Sequence, residues 1–176
     1  MYIERKQEET PAVSFYHKIA DIPNGVTIKT QGITNGTVIP EGSPVYADND
    51  GLYSIVGVAN VVEVAASNAV NYSVAKGSIL KVGQKLIKDS STSVDITSIN
   101  TTDPTKDIIT VSATIGAKTI GSVLTQGELP KPVAVTGELH TVETGKNIFS
   151  SAWVIAVINK NMSPEPASKP DGVYYR

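Results

Sequence analysis

Apolar and polar residues alternate along most of this chain in short runs. Glycine or proline interrupts the runs at intervals of roughly eight to twelve residues, the spacing of an all-β chain. Val26 and Ile28 fall on one side of a strand and Thr27 and Lys29 on the other, the period of two expected where one face is buried. Asn35-Gly36 marks a turn, because both residues tolerate positive φ, and Thr37, Val38 and Ile39 resume the strand. Pro40 and Pro44 bracket a second turn, and DNDG at 48–51 makes a third before a strand over 52–58. Residues 60–66 (NVVEVAA) fit a strand or one short helix, and their alternating valines favour the strand. Another strand ends at Val74, and Lys76-Gly77 and Val82-Gly83 form paired turns around Ile79, Leu80 and Leu86.

The cleanest strand spans 109–115, with Ile109, Val111, Ala113 and Ile115 on one face and Thr110, Ser112 and Thr114 on the other. Val94 and Ile96 open its hairpin partner, and the loop that carries Pro104 is exposed. A Gly- and Pro-bearing stretch at 127–132 reads as a crossing connection. Residues 151–158 (SAWVIAVI) are apolar on both faces, and their shortness and β-branching favour a central strand. The expected fold is all-β: a compact antiparallel barrel or sandwich of short strands with extended N- and C-terminal arms. The division along the chain is a charged arm (1–12), a single β domain (13–162) and an extended tail (163–176) with Pro164, Pro166 and Pro170.

Composition narrows the function. Charged residues make up 18% of the 176 positions and the net charge is −2, with lysines scattered singly. Nucleic-acid binding needs clustered cations, so no nucleic-acid partner is expected. Cysteine is absent, which excludes disulfides and thiolate metal sites. The N-terminus lacks the apolar core of a signal peptide, and the longest apolar run (152–158) is too short to cross a bilayer. Synthesis in the cytoplasm, with no membrane partner, is the expectation.

Candidate chemistry is thin. His17 and His140 are the only histidines, and neither stands in a motif that supplies a nucleophile and a carboxylate. They read as surface or edge residues. Asp48, Asp50 and Gly51 resemble part of a calcium loop, but the bidentate glutamate such a loop requires does not follow at the right distance; Glu63 is the next. Asp103 and Asp107 flank Pro104 and read as a solvated turn. Gly77 and Gly83 precede no helix that would complete a phosphate cradle. Trp153, in a continuous apolar run, reads as core. No metal, no cofactor and no catalytic residue is expected.

The succession NYSVAKGSILKVGQKL, DITSIN, KDIITVSATIGA and GSVL resembles a module of tailed-bacteriophage head proteins, above all the decoration, auxiliary capsid and head-fibre proteins of crAss-like and related gut phages. The resemblance covers about residues 39–124 and departs at Gln84, a turn position where an acidic residue is usual. It implies a non-enzymatic virion component on the capsid exterior, bound to the major capsid protein. Such a protein cements the shell or forms the base of a projecting fibre, and is commonly a homo-oligomer, most often a trimer. The candidate contacts are Tyr2, Ile3, Arg5 and Lys6 in the arm and Tyr174 and Tyr175 in the tail. Two alternatives stand beside it: a carbohydrate-binding β-sandwich used in adhesion, and a tail or baseplate component built on the same module.

Overall fold

A computed structural model describes residues 14–176. The chain leaves one β unit, builds a second, and returns to the first. The first unit opens with β1 (Phe15–Asp21), β2 (Val26–Ile28), β3 (Val38–Ile39), β4 (Pro44–Ala47) and β5 (Tyr53–Ile55). The second unit holds β6 (Val58–Asn60), β7 (Asn71–Ala75), β8 (Lys85–Ile87), β9 (Ser93–Asn100), β10 (Lys106–Val111) and β11 (Val123–Thr125). The chain then completes the first unit with β12 (Ala134–Thr136), β13 (His140–Thr141), β14 (Ile148–Ser150), β15 (Ala152–Ile158) and β16 (Val173–Tyr175). The described residues contain no helix.

In the first unit the strand order is β1-β15-β12-β4-β5-β2-β14. β15 is the central strand that its two-sided apolar sequence predicts. β1 runs antiparallel along one side of it, while β12 and the parallel β16 share the other. Inward residues of this sheet, among them Val26, Ile28, Val45, Ile55 and Ala152, form one core with Ile39 and Val142. A small group of Val135, Ile158 and Val173 continues it toward the chain's end.

The second unit closes on itself. β7-β10-β9-β8 form a four-stranded antiparallel sheet, and β6 pairs with β11. Isolated bridges Val61–Val74 and Leu86–Gln126 join the two pieces at both ends, so six strands complete a ring. Closure removes free edges, which an open sheet of this size would expose. Tyr72, Val74, Leu86, Ile96, Ile109 and Leu124 fill the interior. Burying each such side chain contributes about 1.5–3 kcal/mol. Tyr72 is wholly buried because its hydroxyl is satisfied: it lies 2.8 Å from the Ala69 carbonyl and accepts the Ile115 N–H at 3.0 Å.

Four expectations are corrected. The strand expected over 52–58 is two strands, split at Gly57 where the chain passes from one unit to the other. A Cβ on Gly57 would stand 2.8 Å from Leu80 Cδ2 and 2.9 Å from Gln126 Oε1, so a larger residue at the crossing would displace both side chains. The strand over 60–66 ends at Asn60, and beyond it Val61 and Ala65 make single bridges only. The strand over 109–115 instead runs Lys106–Val111. Its pairing with β9 slips after Thr110, Ser112 bonds to the Asp95 carbonyl, and Ala113 is left exposed. Ile115 returns to the core because Tyr72 captures its N–H. Finally, Asp107 is no solvated loop residue. It sits in β10 at 3% exposure, and its Oδ2 accepts the Gly77 N–H at 2.9 Å. Lys76 Nζ stands 2.9 Å from its Oδ1, an ion-pair contact outside hydrogen-bond geometry.

Candidate functional site

Two places gather side chains that are not consumed by the fold. The first is the outer part of the sheet around β15. Strand alternation points Val173 and Tyr175 inward and Tyr174 outward. Tyr174 is 57% exposed, whereas Tyr175 packs against the Val135, Ile158 and Val173 group with its hydroxyl buried and unpartnered. That burial pushes the Tyr175 phenol well above its ordinary pKa, and Glu165 adds to the shift. Tyr174 pairs in register with Val157, and so does His17 from the opposite side, so the three share one face. Ile155, two residues before Val157, lies on that face and is 40% exposed.

β1 borders this face as an edge strand. Its register against β15 slips three times, at Tyr16, at Ile19 and between Ala20 and Asp21, where the extra residue is Val154 of β15. The two extra residues of β1, Tyr16 and Ile19, are both exposed, Ile19 at 64%. Bulges of this kind bend an edge and re-aim its side chains. Lys18 covers the nearby aromatic rings, with Nζ 4.6 Å from the Phe15 centroid and 5.6 Å from that of Trp153. Trp153 is half-buried beneath it.

The tail expected to extend over 163–176 lies along the protein. Ala167 donates its N–H to Thr125 Oγ1 at 3.0 Å, Lys131 pairs with Asp171, and β16 joins the sheet. Of the six contact candidates, Tyr174 is thus displayed and Tyr175 supports it from behind. Tyr2, Ile3, Arg5 and Lys6, with the rest of the arm, lie outside the described residues.

The second place is a cleft of about 270 Å³ between the two β units. Ile79 enters the first unit's core while its neighbour Leu80 enters the barrel, which draws the 76–84 loop across the junction. Lys81 follows and reaches into the cleft. Its Nζ makes one contact, 3.4 Å to the Gln31 carbonyl, and no carboxylate among the described residues pairs with it. Burial pushes its pKa down. Gln84 Oε1 accepts the Lys81 N–H at 2.8 Å and Gln126 Oε1 accepts the Gly57 N–H at 3.0 Å. Lys29, on the same cleft, is already held by Asp50 and Asp48, which raise its pKa and lower their own. These two aspartates, whose likeness to a calcium loop lacks the glutamate such a loop requires, are ion-pair partners of Lys29. A larger cleft of about 460 Å³ lies on the other side of Ile79, but its one ion-pairing side chain, Lys76, is committed to Asp107.

No nucleophilic hydroxyl is hydrogen-bonded to either histidine among the described residues. His17 is exposed on β1. His140 has an enclosed Nε2 without a hydrogen bond, 3.9 Å from Glu138 Oε2. The described residues hold no cluster of three metal-ligating side chains, and no helix among them is long and apolar enough to cross a membrane. The alternation of Val173, Tyr174 and Tyr175 sets the two tyrosines on opposite faces without saying which is outward; nothing in the sequence marks Lys81. No protein-family model, curated protein or solved structure matches this chain.

Proposed function

We propose that the chain is a non-enzymatic virion structural protein that binds the outer surface of a phage capsid, as a decoration protein or the base of a head fibre. The observation that carries the reading is the rung of exposed Tyr174 and His17 flanking half-buried Val157, beside a bulged edge strand that displays Tyr16 and Ile19. Tyrosines and aliphatic side chains on a rigid sheet are effective anchors, because little entropy is lost when they dock. An edge strand adds directional backbone hydrogen bonds to a partner's strand. A protein repeated over a lattice can bind weakly at each contact and still hold, since attachment is multivalent. The resemblance of residues 39–124 to phage head proteins supports the same role. In this reading Tyr2, Ile3, Arg5 and Lys6 extend the contact from the segment that precedes β1, and a closed homotrimer shields part of the sheet edge.

Co-sedimentation with shells of the cognate major capsid protein tests the reading. Saturable pelleting at a fixed ratio to capsid protein is expected, and a protein that stays in the supernatant at every concentration contradicts it. A second reading, a carbohydrate-binding β protein used in adhesion, has one observation in its favour: the cleft beside Lys81.

A further inference from the structure

We propose that the cleft between the two β units binds a small carboxylate-bearing sugar, a single hexuronate unit, with Lys81 on its carboxylate. The inference is independent of whether the outer sheet docks on a shell.

It follows from what the cleft's polar groups have left to give. An amide offers one acceptor and two donors. Gln84 and Gln126 each spend the oxygen on a backbone N–H, which fixes the orientation of both side chains. Their Nε2 groups have no partner among the described residues and remain as donors. Lys81 adds an ammonium that has no carboxylate partner among the described residues and is partly stripped of water. Three donors on one cleft, with their own acceptors committed, complement the oxygens of an anion.

Charge limits that anion to one unit. Lys29 is neutralised by Asp48 and Asp50, which bring a surplus negative charge to the rim. Lys81 offsets that surplus and leaves the site near neutral, so a dianion such as phosphate is disfavoured and a carboxylate is tolerated. The remaining surface suits a sugar ring. Tyr46 and the Gln31 amide line the cleft without side-chain hydrogen-bond partners among the described residues and can serve hydroxyls, while Ile33, Ile55 and Ile79 offer apolar surface to ring C–H groups. A cleft of about 270 Å³ holds one ring; longer ligands need the larger sites typical of drug-sized molecules.

Calorimetric titration of the full chain with glucuronate, glucose and inorganic phosphate tests the proposal. Glucuronate is expected to bind saturably, and glucose at least about tenfold more weakly, the worth of one charge-assisted hydrogen bond. Phosphate is expected to give no saturable binding. Lys81→Met should weaken glucuronate by the same factor, while Lys85→Met, which removes a surface lysine paired with Glu128, should not. On the unaltered chain, glucuronate should shift the side-chain amide NMR signals of Gln84 and Gln126, a readout that does not depend on a variant folding. The proposal is overturned if glucuronate gives no saturable binding, if Lys81→Met binds it as well as the parent, if phosphate or glucose binds equally tightly, or if those two amide signals stay in place.

Discussion

Tyr174 and His17 occupy the same rung of the outer sheet: each is the Cα partner of Val157, one on either side. Residues far apart in the chain are thereby set on one face, held by the central strand between them. The rung is rigid because β15 is paired along both sides, and it is displayed because strand alternation turns Tyr174 outward while Tyr175 turns in.

The two tyrosines should therefore behave differently. Tyr174→Ala is expected to leave the urea midpoint nearly unchanged, within about 0.5 kcal/mol, as for exposed sites generally. Tyr175→Ala should cost more, about 2–3 kcal/mol, at or below the low end of the range for removing a large ring, because the ring is only partly buried. Tyr175→Phe should be neutral or stabilising, since it deletes a buried hydroxyl that has no partner. Equilibrium urea unfolding of the three variants reads all of this.

Gly172 is what lets β16 lie against β15. A Cβ there would stand 2.4 Å from the Val154 carbonyl oxygen, which is backbone and cannot swing away. Gly172→Ala is expected to cost about 1–3 kcal/mol, as overpacking does. Limited chymotryptic digestion should then cut after Tyr174 faster than in the parent, because the strand is lifted from the sheet.

Asp107 ties the Lys76-Gly77 turn to β10. Asp107→Ala leaves the Gly77 N–H unmet and removes the carboxylate beside Lys76, whose ammonium also holds the Thr101 and Asp103 carbonyls. A loss of about 1–3 kcal/mol is expected, and more than that if the loop detaches as a unit. Asp107→Asn should recover part of it, since its amide oxygen can still accept from Gly77. Thermal melts of both variants check the order.

Asp89 gives a pH signature. Its carboxylate accepts the Thr92 hydroxyl at 2.6 Å and the Ser91 and Thr92 N–H groups at 3.0 and 2.9 Å. These bonds, with the Thr92 hydroxyl foremost, hold its pKa at about 2, below the ordinary 3.8. A depressed folded value means the contribution is present in full above the unfolded pKa and is lost as pH falls through the folded one. The Tm deficit of Asp89→Ala should thus be constant near neutrality, shrink as pH falls through 3.8, and vanish only below about pH 2.

Much of the fold was legible because its signals are local. Two-sided apolarity identified β15 as central, and Val94 and Ile96 announced the hairpin with β10, whereas Tyr174 and Tyr175 were both read as contacts and only the structure separates the outward one from the inward one. What the sequence hid depends on contacts between distant segments. Gly57 looks like one more glycine within a strand, yet Leu80 and Gln126 close around it at the crossing between units. Ile79 and Leu80 look like one apolar pair, yet they serve two cores. Asp107 follows a proline loop and passes for a surface residue until Gly77 and Lys76 are brought to it. Lys81 reads as a scattered lysine, and only the junction of the two units leaves it without a carboxylate partner among the described residues.

Hydrogen exchange of the protein bound to capsid shells, compared with the free protein, tests the docking role most directly. New protection is expected in the amides of β1 (15–21), an edge strand of the sheet among the described residues, and in β16 around Tyr174, with the barrel strands β8 and β9 unchanged. Bound protein whose protection falls on the barrel and spares β1 and β16 would contradict the proposed docking face. Failure to bind shells at all would contradict the capsid role itself.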